Sequence, residues 1–145
     1  MRAIPLLLTL AACVAPAPGS APPGEPQSEE VRRYNESVAA QFAAPGVVTA
    51  RLGETARLGE LGVRPLAVAE DSRCPHDVEC VWAGRLRLRV SISGVAGEPE
   101  LTLGQAFSLP RGGTLTLVAA APSPWQNPPA GIARGPANRF GFRRD

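Results

Sequence analysis

The chain has 145 residues, a net charge of +2 and 44% hydrophobic residues, enough apolar material for one domain with its own core. A charge so close to neutral gives no global nucleic-acid signature, which would show as a strongly basic domain. All fifteen basic residues are arginine, and alanine, glycine and proline are abundant. This is the imprint of a GC-rich genome, so proline richness by itself is not a ligand signal.

Residues 1–12 carry a single charge, Arg2, and an apolar run too short to span a bilayer, which takes about 20 apolar residues. They are expected to be a secretion signal. The run ends in Leu10-Ala11-Ala12-Cys13, which resembles the lipobox of bacterial lipoproteins. The resemblance implies cleavage before Cys13 and attachment of diacylglycerol to its thiol, with further acylation giving a stable hold on the lipid bilayer. The alternative is an ordinary secretory signal cut after Ala12 or Ala17. Val14, in the place where an aspartate would retain the protein at the inner membrane, leans towards the outer membrane facing the periplasm in a diderm host. The cysteine count then closes: with Cys13 on lipid, Cys74 and Cys80 are left to pair.

Residues 13–27 comprise Cys13 and a proline- and glycine-rich stretch expected to be a tether. Its length would hold the domain away from the membrane, towards a partner in the envelope space. Ser28 followed by Glu29 and Glu30 reads as an N-cap with acid in the first turn. The helix, within residues 28–45, should run to about Ala43, with Val31, Tyr34, Val38 and Phe42 as one apolar seam and Pro45-Gly46 as the stop. That seam suits either a lipid or partner surface, or the helix's own domain.

From Val47 the period changes to that of short strands. Arg85–Ser93 alternates polar and apolar residues, so Leu86, Leu88, Val90 and Ile92 are expected to face the core. Further strands are expected at 48–52, 55–58, 63–69, 100–103, 114–120 and 139–143. Seven short strands in residues 46–145 predict an all-β domain, a single antiparallel sandwich or small barrel preceded by the short helix.

The connection from Glu70 to Gly84 holds the densest chemistry. Cys74 and Cys80 should close a seven-residue loop, with Pro75 starting its turn. Asp71 and Ser72 can bond nearby backbone amides, Arg73 can pair with a carboxylate, Trp82 is expected to cover the sulfurs, and Gly84 permits a conformation other residues avoid. The segment resembles Asp-Ser-Arg-Cys-Pro, four residues, Cys, Val or Ile, Trp, any residue, Gly. That motif belongs to a family of small, uncharacterised bacterial envelope proteins, many of them lipoproteins. The resemblance covers about the last hundred residues, including a Pro-x-Pro at Pro122-Ser123-Pro124. It implies a β-rich fold without an assigned activity. The closing strand departs from it, with Phe140 and Phe142 where a tyrosine is expected.

Candidate binding residues are Asp71, Arg73, Trp82, Arg85, Arg87, Arg89 and Trp125. Arg85, Arg87 and Arg89 share one strand face, which Arg143 and Arg144 could extend, and such a row could grip phosphates or an acidic partner, or simply be a solvated outer face. Trp125 sits in a proline-stiffened loop as a contact for sugar or protein, or as a lid on the sandwich. Neither a catalytic residue, nor a metal site, nor a cofactor is assigned. The expected function is a non-enzymatic binding or structural role in the cell envelope, with an envelope protein or glycan as partner. The competing reading is a metal-binding or hydrolytic centre on the 71–80 loop, drawing on Asp71, His76, Asp77 and Glu79, although no Gly-x-Ser-x-Gly accompanies it.

Overall fold

A computed structural model describes residues 28–145. The expected signal, Cys13 and the tether lie outside the described residues. Helix α1 spans Glu29–Ala43, and eight strands follow: β1 Val47–Arg51, β2 Ala56–Leu58, β3 Leu61–Asp71, β4 Leu86–Ile92, β5 Glu100–Thr102, β6 Ala106–Ser108, β7 Thr114–Ala121 and β8 Arg139–Arg144. They form two antiparallel four-stranded sheets, ordered β1-β8-β7-β6 and β2-β3-β4-β5. The fold is a sandwich rather than a closed barrel.

The alternating strand faces as expected. Leu86, Leu88, Val90 and Ile92 are buried and pack with Val63 and Leu101 of their own sheet and Leu115, Leu117, Phe140 and Phe142 of the other. Each buried Leu, Val or Phe side chain is worth about 1.5–3 kcal/mol, so this layer is the main source of stability. Phe140 and Phe142 are fully buried, so a phenolic hydroxyl at either position would have to find a partner inside the core. The strand absent from the sequence reading, β6, has three residues, and only Phe107 is partly buried. A segment that short carries too little alternation to register as a strand.

β3 starts two residues earlier than its pattern indicates and contains two register shifts, between Pro65 and Ala67 and between Val68 and Glu70. Bulges accommodate a proline that cannot donate to the ladder, and each shift re-aims the residues beyond it. Glu70 thereby comes opposite Arg87 on the outer face, and Asp71 comes opposite the buried Leu86.

Helix α1 begins as its sequence dictates, with the Ser28 hydroxyl accepting from the Val31 amide at 3.4 Å. Its outward side is stitched by Arg32–Glu36 and Arg33–Glu29 pairs. Its apolar seam lies on β1 and β7, with Val31 and Phe42 buried, so the helix docks on its own domain. Gly141 makes room: a Cβ there would stand 3.0 Å from Val47 Cγ1 and 3.4 Å from Phe42 Cδ1. The Arg139 guanidinium lies over the Phe42 ring, 4.1 Å from its centroid.

The strand directions give the sandwich two distinct ends. One carries the tight turns around Gly59, Gly94 and Gly112 and the C-terminus. The other carries the long connections 72–85 and 122–138, together with the first turns of α1.

Candidate functional site

At the second end the β3–β4 hairpin continues beyond its strands, through Ser72 N–H to Arg85 O at 2.8 Å and Cys74 N–H to Ala83 O at 3.1 Å. These bonds bring the two arms so close that a Cβ on Gly84, whose φ is +65°, would lie 1.7 Å from the Ser72 carbonyl oxygen. Glycine is therefore a steric requirement there as well as a conformational one. The Cys74–Cys80 disulfide, with Cα atoms 5.9 Å apart, closes the loop, and Val78 N–H to Pro75 O at 3.3 Å marks the turn that the proline starts.

Two charged residues of this connection, Asp71 and Arg73, turn their side chains inward. Arg73 makes a two-point pair with Asp71, Nε to Oδ1 at 2.7 Å and Nη2 to Oδ2 at 2.8 Å. The same guanidinium crosses to the other sheet, donating to Ala120 O and Pro122 O, both at 2.9 Å. The side chains are only 13% and 18% exposed. A planar fork with several donors suits this task, and lysine could not satisfy all three partners. The arrangement makes Asp71 and Arg73 a rivet between sheets.

Four residues beyond Arg73, the Asp77 carboxylate accepts from the Gln126 amide at 2.8 Å and the Asn127 amide at 2.7 Å. The Gln126 bond, followed by that from Asn127, holds the Asp77 carboxyl below its ordinary range. His76 N–H donates to Pro124 O at 2.9 Å. Its ring stands among aromatic neighbours, 5.0 Å from Tyr34 of α1 and 4.7 Å from Trp125, which meets Tyr34 edge-on at 5.1 Å. His76 is exposed, and its ring nevertheless joins three segments, α1, the stapled loop and the Trp125 connection. Trp125 is half-buried in this trio as a lid on the sandwich end, and its Nε1 is buried with no hydrogen-bond partner among the described residues.

The arginine row lies on the outer face of β4 and its approach, but each member is paired. Arg85 and Arg87 share Glu70, Arg87 also reaches Glu100 at 3.0 Å, and Arg89 reaches Glu98 at 3.3 Å. The Ser72 hydroxyl and then Arg85 hold the Glu70 carboxyl below its ordinary range. Arg143 and Arg144 belong to β8 in the other sheet and do not extend the row. The face is a lattice of alternating charge.

The largest departure concerns Trp82. Expected over the sulfurs, it is 81% exposed, and its neighbour Val81 is 88% exposed. The hydrogen-bonded arms place these two residues between Cys80 and Ala83 at the outer edge of the stapled loop, away from the core. Val81 was not among the candidates, because a lone valine beside a strand reads as core. Tyr34 was likewise missed as the partner of His76, since their contact spans two elements far apart in sequence.

For a metal or hydrolytic centre, both oxygens of Asp71 and of Asp77 are already engaged. No group of three or more His, Cys, Asp and Glu side chains converges among the described residues. The cavity at the opposite end, lined by residues including Leu61, Leu109 and Arg111, measures about 110 Å³, below the size of ordinary small-molecule sites. No protein-family model matches the chain, and no curated protein or solved structure is significantly similar to it.

Proposed function

We propose that this protein is a lipid-anchored binding protein of the bacterial cell envelope, held in the bilayer through Cys13, with a non-enzymatic task. In a diderm host it belongs on the outer membrane, facing the periplasm. The reading is supported by the lipobox-like Leu10–Cys13 and by the resemblance of residues 71–84 to the envelope-protein motif.

One observation carries the binding role. The polar residues of the motif are spent inside the fold, yet its two adjacent large apolar residues, Val81 and Trp82, are offered to solvent on a loop fixed by a disulfide and cross-sheet bonds. Exposing them costs hydration free energy without an internal return, and a rigid, solvated tryptophan is the side chain most used as an anchor in interfaces.

Two measurements test the reading. Mass spectrometry of the N-terminal peptide should show Cys13 as the first residue carrying diacylglycerol; an unmodified N-terminus would overturn the anchoring. A photo-crosslinking side chain at position 82 should form adducts in intact cells, whereas one at Arg57 should not. Absence of any adduct at position 82 would overturn the binding role.

A further inference from the structure

We infer that Val81 and Trp82 form a second membrane contact, seated in the interfacial layer of the same bilayer that holds Cys13. The inference rests on the anchoring proposed above and names the occupant of its binding site.

The argument is one of placement. The described chain begins at Ser28, and α1 starts at the end of the sandwich that bears the stapled loop. There Tyr34 stands 5.0 Å from His76, and the Asn35 amide reaches Gly131 O at 3.4 Å. Glu29 and Glu30 border an open groove of about 420 Å³ with His76 on its other side. Only the fourteen residues 14–27 separate this point from Cys13. Fully extended, they reach at most about 50 Å. A chain pulled towards the bilayer from Ser28 therefore brings the loop end to the membrane. The turn end lies further off by roughly the length of β3, eleven residues at about 3.3 Å each. Length alone lets the domain stand off the membrane; the point of attachment adds a direction.

The chemistry of the tip fits that destination. Tryptophan is enriched at membrane–water interfaces, where an apolar ring with one polar N–H finds both environments. The charges nearest the tip give no cationic surplus: Glu79 is exposed, and Arg85 is paired with Glu70 at 3.0 Å. The contact is thus apolar and shallow, insensitive to salt and to the fraction of anionic lipid. The first acylated residue and the Trp82 loop together would fix the domain's orientation, which one anchor on a long tether cannot do.

The test uses the full lipidated protein reconstituted into vesicles of phosphatidylethanolamine and phosphatidylglycerol, with and without phospholipid brominated high on its acyl chains. The chain has two tryptophans, so subtracting the fluorescence of a Trp82→Phe variant isolates the Trp82 signal. The expected result is a blue-shifted Trp82 component that is quenched by the brominated lipid, protected from aqueous acrylamide and unchanged by added salt. If the protein floats with the vesicles while Trp82 stays open to acrylamide and unquenched by bromine, the membrane contact is overturned and the lipid anchor stands. Protection of Trp82 in native envelopes but not in vesicles would also overturn it, in favour of a protein partner. Failure to float with the vesicles would remove the anchor and this contact together.

Discussion

Arg73 Nη1 donates to the Ala120 carbonyl at 2.9 Å, so a side chain that leaves one sheet bonds a strand of the other while its remaining donors hold Asp71 and Pro122. The pair is largely withdrawn from water, and among the described residues Arg73 is the only charged partner of the Asp71 carboxylate. Removing one member strands the other. Arg73→Ala should therefore lower stability by about 3 kcal/mol. Arg73→Lys should lower it by less but measurably, since the charge remains and the fork is lost. Urea unfolding reads both: the midpoint should fall with the slope unchanged. A midpoint within experimental error of the wild type for Arg73→Ala would contradict the rivet.

Glycine 84 and glycine 59 provide a matched contrast. Both have positive φ, +65° and +66°, but a Cβ meets the Ser72 carbonyl at 1.7 Å in the first case and open space in the second. Gly59→Ala should cost about 1 kcal/mol, the backbone penalty alone. Gly84→Ala should cost more than about 2 kcal/mol, because the hairpin arms must separate and lose the Ser72–Arg85 bonds. Thermal unfolding of the two variants side by side measures the difference; equal losses would show that the arms yield freely.

Replacing Cys74 and Cys80 together by alanine should cost about 2 kcal/mol, the loop-closure entropy of so short a ring. The loss should be concentrated locally. Amide exchange should quicken for residues 74–83, while the buried ladder between β4 and β3 keeps its protection. Uniform quickening across both sheets would mean that the bridge supports the core and not just the loop.

The two tryptophans should behave as opposites. Trp82→Ala removes an exposed side chain and should change stability by less than about 0.5 kcal/mol while abolishing the contacts made at that position. Trp125→Ala removes the aromatic contacts with Tyr34 and His76, each worth about 0.5–1.5 kcal/mol, and should lower the melting temperature and loosen α1. A large stability loss from Trp82→Ala would assign that residue to the fold.

Asp77 sets part of the acid sensitivity. Its carboxyl is held below the ordinary range by the Gln126 and Asn127 amides, so the unfolded chain takes up its proton before the folded one does. The stabilisation is complete above the unfolded value, near pH 4, and fades as the pH falls through the lower folded value. Asp77→Asn should therefore melt at a lower temperature than the wild type at neutral pH, with the gap narrowing as the pH falls below the ordinary carboxylate range, near pH 4. A gap of constant size across the whole range would exclude titration of Asp77 as its source.

Much of this molecule is legible in its sequence because the signals are local. Ser28 and the acidic first turn set the start of α1, the seam from Val31 to Phe42 sets the face it buries, and the alternation of Arg85–Ser93 sets the inward side of β4. Those features depend on burial periodicity and capping within a few residues; the all-β class follows from the same periodicity, and the Cys74–Cys80 pair from the cysteine count and spacing. The tertiary structure alone decided where long-range partners lie. Two bulges in β3 turn Glu70 outward to neutralise Arg85 and Arg87 and turn Asp71 inward to meet Arg73. The Pro122–Asn127 segment folds back to engage His76 and Asp77, which draws Trp125 inward. Which tryptophan is buried and which is presented depends on the register of segments some fifty residues apart, and composition and spacing within either segment carry no trace of that pairing.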